Sequence, residues 1–85
     1  MITIYGKPQC GFCEQAKNLS QTQSIQYRYV EVDFGQSRQP DVEYISRDHF
    51  IMMFPEARSV PQILVDGIHI GGFTEFQNYI KEQQK

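Results

Sequence analysis

Two cysteines three positions apart, Cys10 and Cys13 in KPQCGFC, are the residues best placed to do chemistry. Such a pair can cross-link the chain, hold a metal, or exchange electrons with other sulfurs. A bridge this short closes a tiny loop and constrains the unfolded chain little, so stapling is a weak reason for it. A structural zinc site needs four ligands, typically two such hooks. The other soft ligands, His49 and His69, form no second hook and read as surface residues. Redox exchange remains, and it needs a fold that makes one thiol acidic and shields the other.

The flanking elements supply that fold. Ile2-Thr3-Ile4-Tyr5 alternates and meets Gly6 and Pro8, a short strand and a break. From Gly11 to about Gln21 the chain suits a helix, with Cys13, Ala16 and Leu19 on one face and Glu14, Lys17 and Asn18 turned away. Tyr27 to Val32 reads as a second strand. A helix between two strands makes a parallel, right-handed βαβ unit. A C-x-x-C opening that helix is the pattern of a thioredoxin-like redox site. Cys10 would sit where unpaired N–H groups and the helix dipole favour a thiolate, with Lys7 adding positive charge. Cys13, one turn deeper, would be shielded and resolve the mixed disulfide.

Residues 35–45, GQSRQPDVEYI, lack a pattern and read as an excursion of loop and turn. Ser46 or Asp48 is expected to cap a helix that turns Phe50, Ile51 and Phe54 inward before Pro55. Asp66-Gly67 between Ile63-Leu64-Val65 and Ile68-His69-Ile70 predicts a hairpin with a type I′ turn. After Gly71-Gly72, Thr74 and Gln77 have capping-box spacing, and Phe73, Phe76 and Ile80 form the stripe of a last helix. Upstream, Ser59-Val60-Pro61 precedes the third strand, where proline takes only the first position. A cis Val60–Pro61 bond would make a tight turn beside the cysteines, leaving the Val60 backbone free to pair with an extended peptide.

The chain has 85 residues, 40% of them hydrophobic and 21% charged, and a formal charge of −2. One domain, residues 1–85, is expected, interrupted by a loop excursion at about 35–46. The charge gives no electrostatic case for nucleic acid or an anionic membrane. No apolar run approaches membrane-spanning length, and MITIYGKP lacks the apolar stretch of a signal peptide. A cytoplasmic setting, with thiols kept reduced, is therefore expected.

Strand-then-KPxCxxC, the SVPQILVDG block and IGGF, in that order and spacing, resemble the glutaredoxins, above all the small dithiol type of bacteria and phages. The resemblance implies an α/β thioredoxin fold, a four-stranded mixed sheet flanked by three helices in the order βαβαββα. It implies a glutathione-dependent thiol–disulfide oxidoreductase, monomeric, that reduces protein disulfides and glutathione mixed disulfides, with ribonucleotide reductase a common client of such enzymes. Cys10 and Cys13 would be catalytic. Glutathione would be the reductant, bound by Lys7 at its glycyl carboxylate, by Phe12 with Cys10 beside the sulfur, by the Val60 backbone at its cysteinyl unit, and by Pro61. Gly72, Phe73 and Thr74 would hold the γ-glutamyl carboxylate, with Glu75 at the amino group. The chain departs from the common C-P-Y-C at Gly11 and Phe12, and Arg47 stands near where a second group for the glycyl carboxylate is expected.

Two alternatives compete. A redoxin reduced by thioredoxin reductase shares K-P-x-C-x-x-C, but usually carries a tryptophan-serine-glycine-phenylalanine stretch where this chain has Gly71-Gly72-Phe73. A carrier of a glutathione-ligated [2Fe–2S] cluster bridged between two chains is compatible with Gly11, whereas Cys13 favours dithiol catalysis.

Overall fold

The computed structural model describes residues 1–83. Ile2–Gly6 forms β1, Gly11–Thr22 α1, Tyr27–Asp33 β2, Glu43–Ser46 β3 and Arg47–Met53 α2. Gln62–Val65 and Ile68–Gly71 form β4 and β5, and Phe73–Gln83 forms α3. The sheet order is β3-β2-β1-β4-β5. The β1–β2 and β2–β3 pairs are parallel, and β4 and β5 run antiparallel to their neighbours. This is the expected mixed-sheet thioredoxin architecture with three helices, widened by one strand.

The extra strand lies at the end of the predicted excursion. Val30 to Asp33 offer a free parallel edge to Glu43 to Ser46. An ion pair between Arg28 and Glu43 ties the two strands across the ladder. Pairing with β2, rather than local pattern, therefore makes β3 a strand. The preceding loop is also tied down. Arg38 binds Asp33 at 2.7 Å and covers the Tyr44 ring, and the Gln39 N–H donates to the Tyr44 hydroxyl at 2.6 Å.

Alternation along β1 splits the core between two layers. Ile2 and Ile4 pack with Ala16 of α1 and with Phe76 and Ile80 of α3. Tyr5 turns the other way, onto Val30, Val32 and Phe50 and Phe54 at α2. The hairpin turn is as expected, with Asp66 and Gly67 both at positive φ (51° and 84°).

Three local expectations need correction. Ile51 is exposed, because in so short a helix Phe50 and Phe54, four apart, take the single inward stripe. Lys17 does not turn away from the protein. It lies half-buried over the Tyr29 ring, 4.2 Å from its centroid, and pairs with Glu14 at 3.0 Å. The last helix starts at Phe73, before the predicted cap, and Glu75 reaches back to accept the Gly72 N–H at 2.7 Å. Glu75 thus fills the role expected of Gln77, with the cap two residues earlier.

Candidate active site

Cys10 is the N-cap of α1, and Gly11 is its first helical residue. The two cysteines form a disulfide. The Cys13 N–H donates to Cys10 Sγ at 3.2 Å, one of the free N–H groups of the first turn. The same N–H would stabilise a Cys10 thiolate after reduction. Cys10 Sγ also lies 3.8 Å from the Val60 carbonyl oxygen, and the Val60–Pro61 bond is cis. The turn that carries Val60 is braced from behind. Gln62 Nε2 donates to the Ser59 carbonyl at 2.8 Å, and Gln62 Oε1 meets His69 Nε2 at 2.7 Å. His69 is therefore a surface residue with a partner, its ring also packed against Phe54.

Cys13 is fully buried. A Cβ on Gly6 would stand 2.9 Å from Cys13 Sγ and 3.0 Å from the Tyr29 ring. Only glycine lets α1 sit this close to β1. Behind Gly6, its register partner Glu31 is buried and accepts the Tyr29 hydroxyl at 3.2 Å and Gln36 Nε2 at 3.1 Å. Burial, and then the Glu31 charge and hydrogen bond, hold the Tyr29 phenol well above its ordinary pKa of 10.0.

Beside Cys10 runs a cleft of ≈ 210 Å³. Ser59, Val60 and Pro61 form one wall; Gly72, Phe73, Thr74 and Glu75 form the other; Phe12 closes the end. Every residue expected to bind glutathione, apart from Lys7, lines it. Phe12 is 58% exposed and stacks on Phe73, with ring centroids 5.8 Å apart. Phe73 is thus half-buried at the cleft rather than a plain core residue.

Lys7 opens instead onto an adjoining cleft of ≈ 340 Å³ that includes Arg47, the candidate second cation, and Arg58. Ser59 and Val60 belong to both clefts. Arg58 and the buried Glu31 were not anticipated. Glu31 could have been read from its place on the inward alternation of β2, two residues beyond Tyr29. Arg58, in an irregular loop, carries no such signal. Among the described residues, no three of His, Cys, Asp and Glu come together.

The glutaredoxin family model matches residues 2–70. A glutaredoxin of Vibrio cholerae is 33% identical over 86 residues, covering 95% of this chain and 91% of that protein. Among solved structures, reduced Escherichia coli glutaredoxin superposes with a TM-score of 0.70 at 30% identity, covering 95% and 93% of the two chains. Glutaredoxin 1 of Francisella tularensis, solved with cacodylate, gives 0.71 at 29%, covering 99% and 96%.

Proposed function

Since the chain belongs to the glutaredoxin family and is a thiol–disulfide oxidoreductase, we propose that it works as a dithiol enzyme reduced by glutathione. The observation that carries it is the cleft between the Val60 turn and the start of α3, whose Val60 carbonyl lies 3.8 Å from Cys10 Sγ. It has the shape for a short extended peptide whose thiol meets Cys10. The Cys10 thiolate attacks one sulfur of a disulfide, expelling the other as a thiolate and forming a mixed disulfide. Cys13 then attacks Cys10, releasing the client thiol and giving the disulfide present here. Alternatively a second glutathione attacks the glutathionyl sulfur, freeing Cys10 and leaving oxidised glutathione. Two glutathiones return the Cys10–Cys13 disulfide to the dithiol.

In this reading the cysteinyl backbone of glutathione pairs with Val60. Phe12 and Pro61 flank its sulfur. The γ-glutamyl carboxylate lies at Gly72, Phe73 and Thr74, where backbone N–H groups open the helix. Glu75 already accepts the Gly72 N–H, so it stands beside the incoming amino group and shares this end with the ligand. Lys7 and Arg47 take the glycyl carboxylate. Protein disulfides, including that of ribonucleotide reductase, are the proposed clients of a cytoplasmic monomer. No described helix is long and apolar enough to cross a membrane.

The test is a coupled assay with a glutathione mixed disulfide of a small thiol. NADPH consumption should require both glutathione and glutathione reductase. Turnover with thioredoxin reductase and none with glutathione would overturn the reading.

A further inference from the structure

We propose that the cleft holding Lys7, Arg47 and Arg58 is a docking groove for an acidic segment beside the client protein's disulfide. The inference rests on the reading that Cys10 attacks disulfides carried by proteins. Its basis is an imbalance of charge. Arg28 and Arg38 are neutralised in ion pairs with Glu43 and Asp33. Lys7, Arg47 and Arg58 form no ion pair among the described residues, and all three line one cleft. No acidic side chain lines it, although the whole chain carries a net charge of −2. A single glycyl carboxylate would leave most of this positive charge unmatched, so a larger anionic occupant fits better.

The rest of the lining narrows the partner. Phe34 and Ile51, 50% and 48% exposed, give the groove an apolar side. Acidic residues interleaved with an apolar one would therefore fill it. Continuity with the exchange site sets the reach. Val60 lies in both clefts, and its carbonyl is 3.8 Å from Cys10 Sγ. The groove therefore receives residues close in sequence to the attacked cysteine. Surface charges of this kind act mainly on association, which makes the effect sensitive to salt.

Synthetic peptides with an intramolecular disulfide test this, their flanks carrying Asp and Leu, Ser and Leu, or Lys and Leu. Protein reduced at Cys10 and Cys13, and freed of reductant, is mixed with each. Two electrons and two protons pass from the dithiol to the peptide disulfide, and acid quenching with chromatography gives the rate. The Asp peptide should react about tenfold faster than the Lys peptide at low ionic strength, with the ratio collapsing in high salt. Arg58→Glu should bring the ratio to one or below. Taking the ratio within one variant cancels any change at the cysteines. Equal rates for the three peptides, or a ratio that Arg58→Glu leaves unchanged, would overturn the groove. If the wild type exchanged with no peptide and no glutathione mixed disulfide, the reading of Cys10 would fall, and the groove with it.

Discussion

Cys10, 9% exposed, sets its sulfur against the Val60 turn, which walls a cleft shared with the stacked Phe12 and Phe73, whereas Cys13, wholly buried, looks in at Gly6, the Tyr29 ring and, behind them, Glu31. The cleft side is open, and the Cys13 N–H is aimed at the Cys10 sulfur there. The inner side is close-packed, and its polar groups are satisfied by one another. A bond of one helical turn joins two surroundings with opposite demands. Attack needs an accessible, stabilised thiolate; resolution needs only a sulfur held within reach. The proposed division of labour, attack by Cys10 and resolution by Cys13, rests on which side of α1 each cysteine occupies.

Removing each sulfur tests that contrast most severely. Cys10→Ser should abolish both reactions, on the order of a thousandfold or more, because no other thiolate faces the cleft. Cys13→Ser should keep reduction of glutathione mixed disulfides while losing dithiol reduction of protein disulfides. The two rates, measured side by side on one preparation of each variant, decide it. A dead Cys13→Ser with an active Cys10→Ser would reverse the roles of the two sides.

Two glycines give the same contrast in stability. At Gly6 an added methyl would meet Cys13 Sγ at 2.9 Å, the Tyr29 ring at 3.0 Å and Cys13 Cβ at 3.2 Å. All three are packed, so Gly6→Ala should cost about 1–3 kcal/mol, as overpacking does. Gly11 begins α1 on the open side, with nothing within 4 Å of an added Cβ. Gly11→Ala should be neutral or stabilise by up to about 1 kcal/mol, through helix propensity and a less free unfolded chain. Urea midpoints of the two variants, both oxidised, make the comparison. Equal costs at both positions would show that the inner side is no tighter than the outer.

Much of this contrast could be read in the amino-acid sequence, because local rules write it. Alternation marks β1 and β2, Asp66-Gly67 dictates the hairpin, and the C-x-x-C position after β1 places Cys10 at a helix start. Val60, Pro61 and residues 72–75 then meet Phe12 in one cleft. What escaped depends on partners distant in the chain. Glu43 to Ser46 become a strand only because β2 has an edge to offer. Ile51 turns outward because Phe50 and Phe54 claim the core side of a one-stripe helix. Lys17 finds Tyr29, and Arg58 finds Lys7 and Arg47, across the fold rather than along it.

The smallest expected effect is a proton held on the inner side. Tyr29 keeps its proton in the folded protein because its ring is buried and its hydroxyl donates to the Glu31 carboxylate. Its folded pKa is raised above the ordinary 10.0, so the sign of the linkage is fixed. The stabilisation is fully present below pH 10 and is lost as pH rises from there toward the folded pKa, since only the unfolded chain can release this proton. Wild type should therefore lose stability between about pH 9 and 11 more steeply than Tyr29→Phe, which has no proton to release. The change of urea midpoint across that window, taken for both proteins, measures the difference. Tyr29→Phe should start lower near neutrality, because Glu31 then lacks one of its two side-chain donors. The two curves should converge as the solution becomes alkaline. Parallel curves would mean that Tyr29 ionises as freely as a surface phenol, and that the surroundings of Cys13 are wetter than their packing implies.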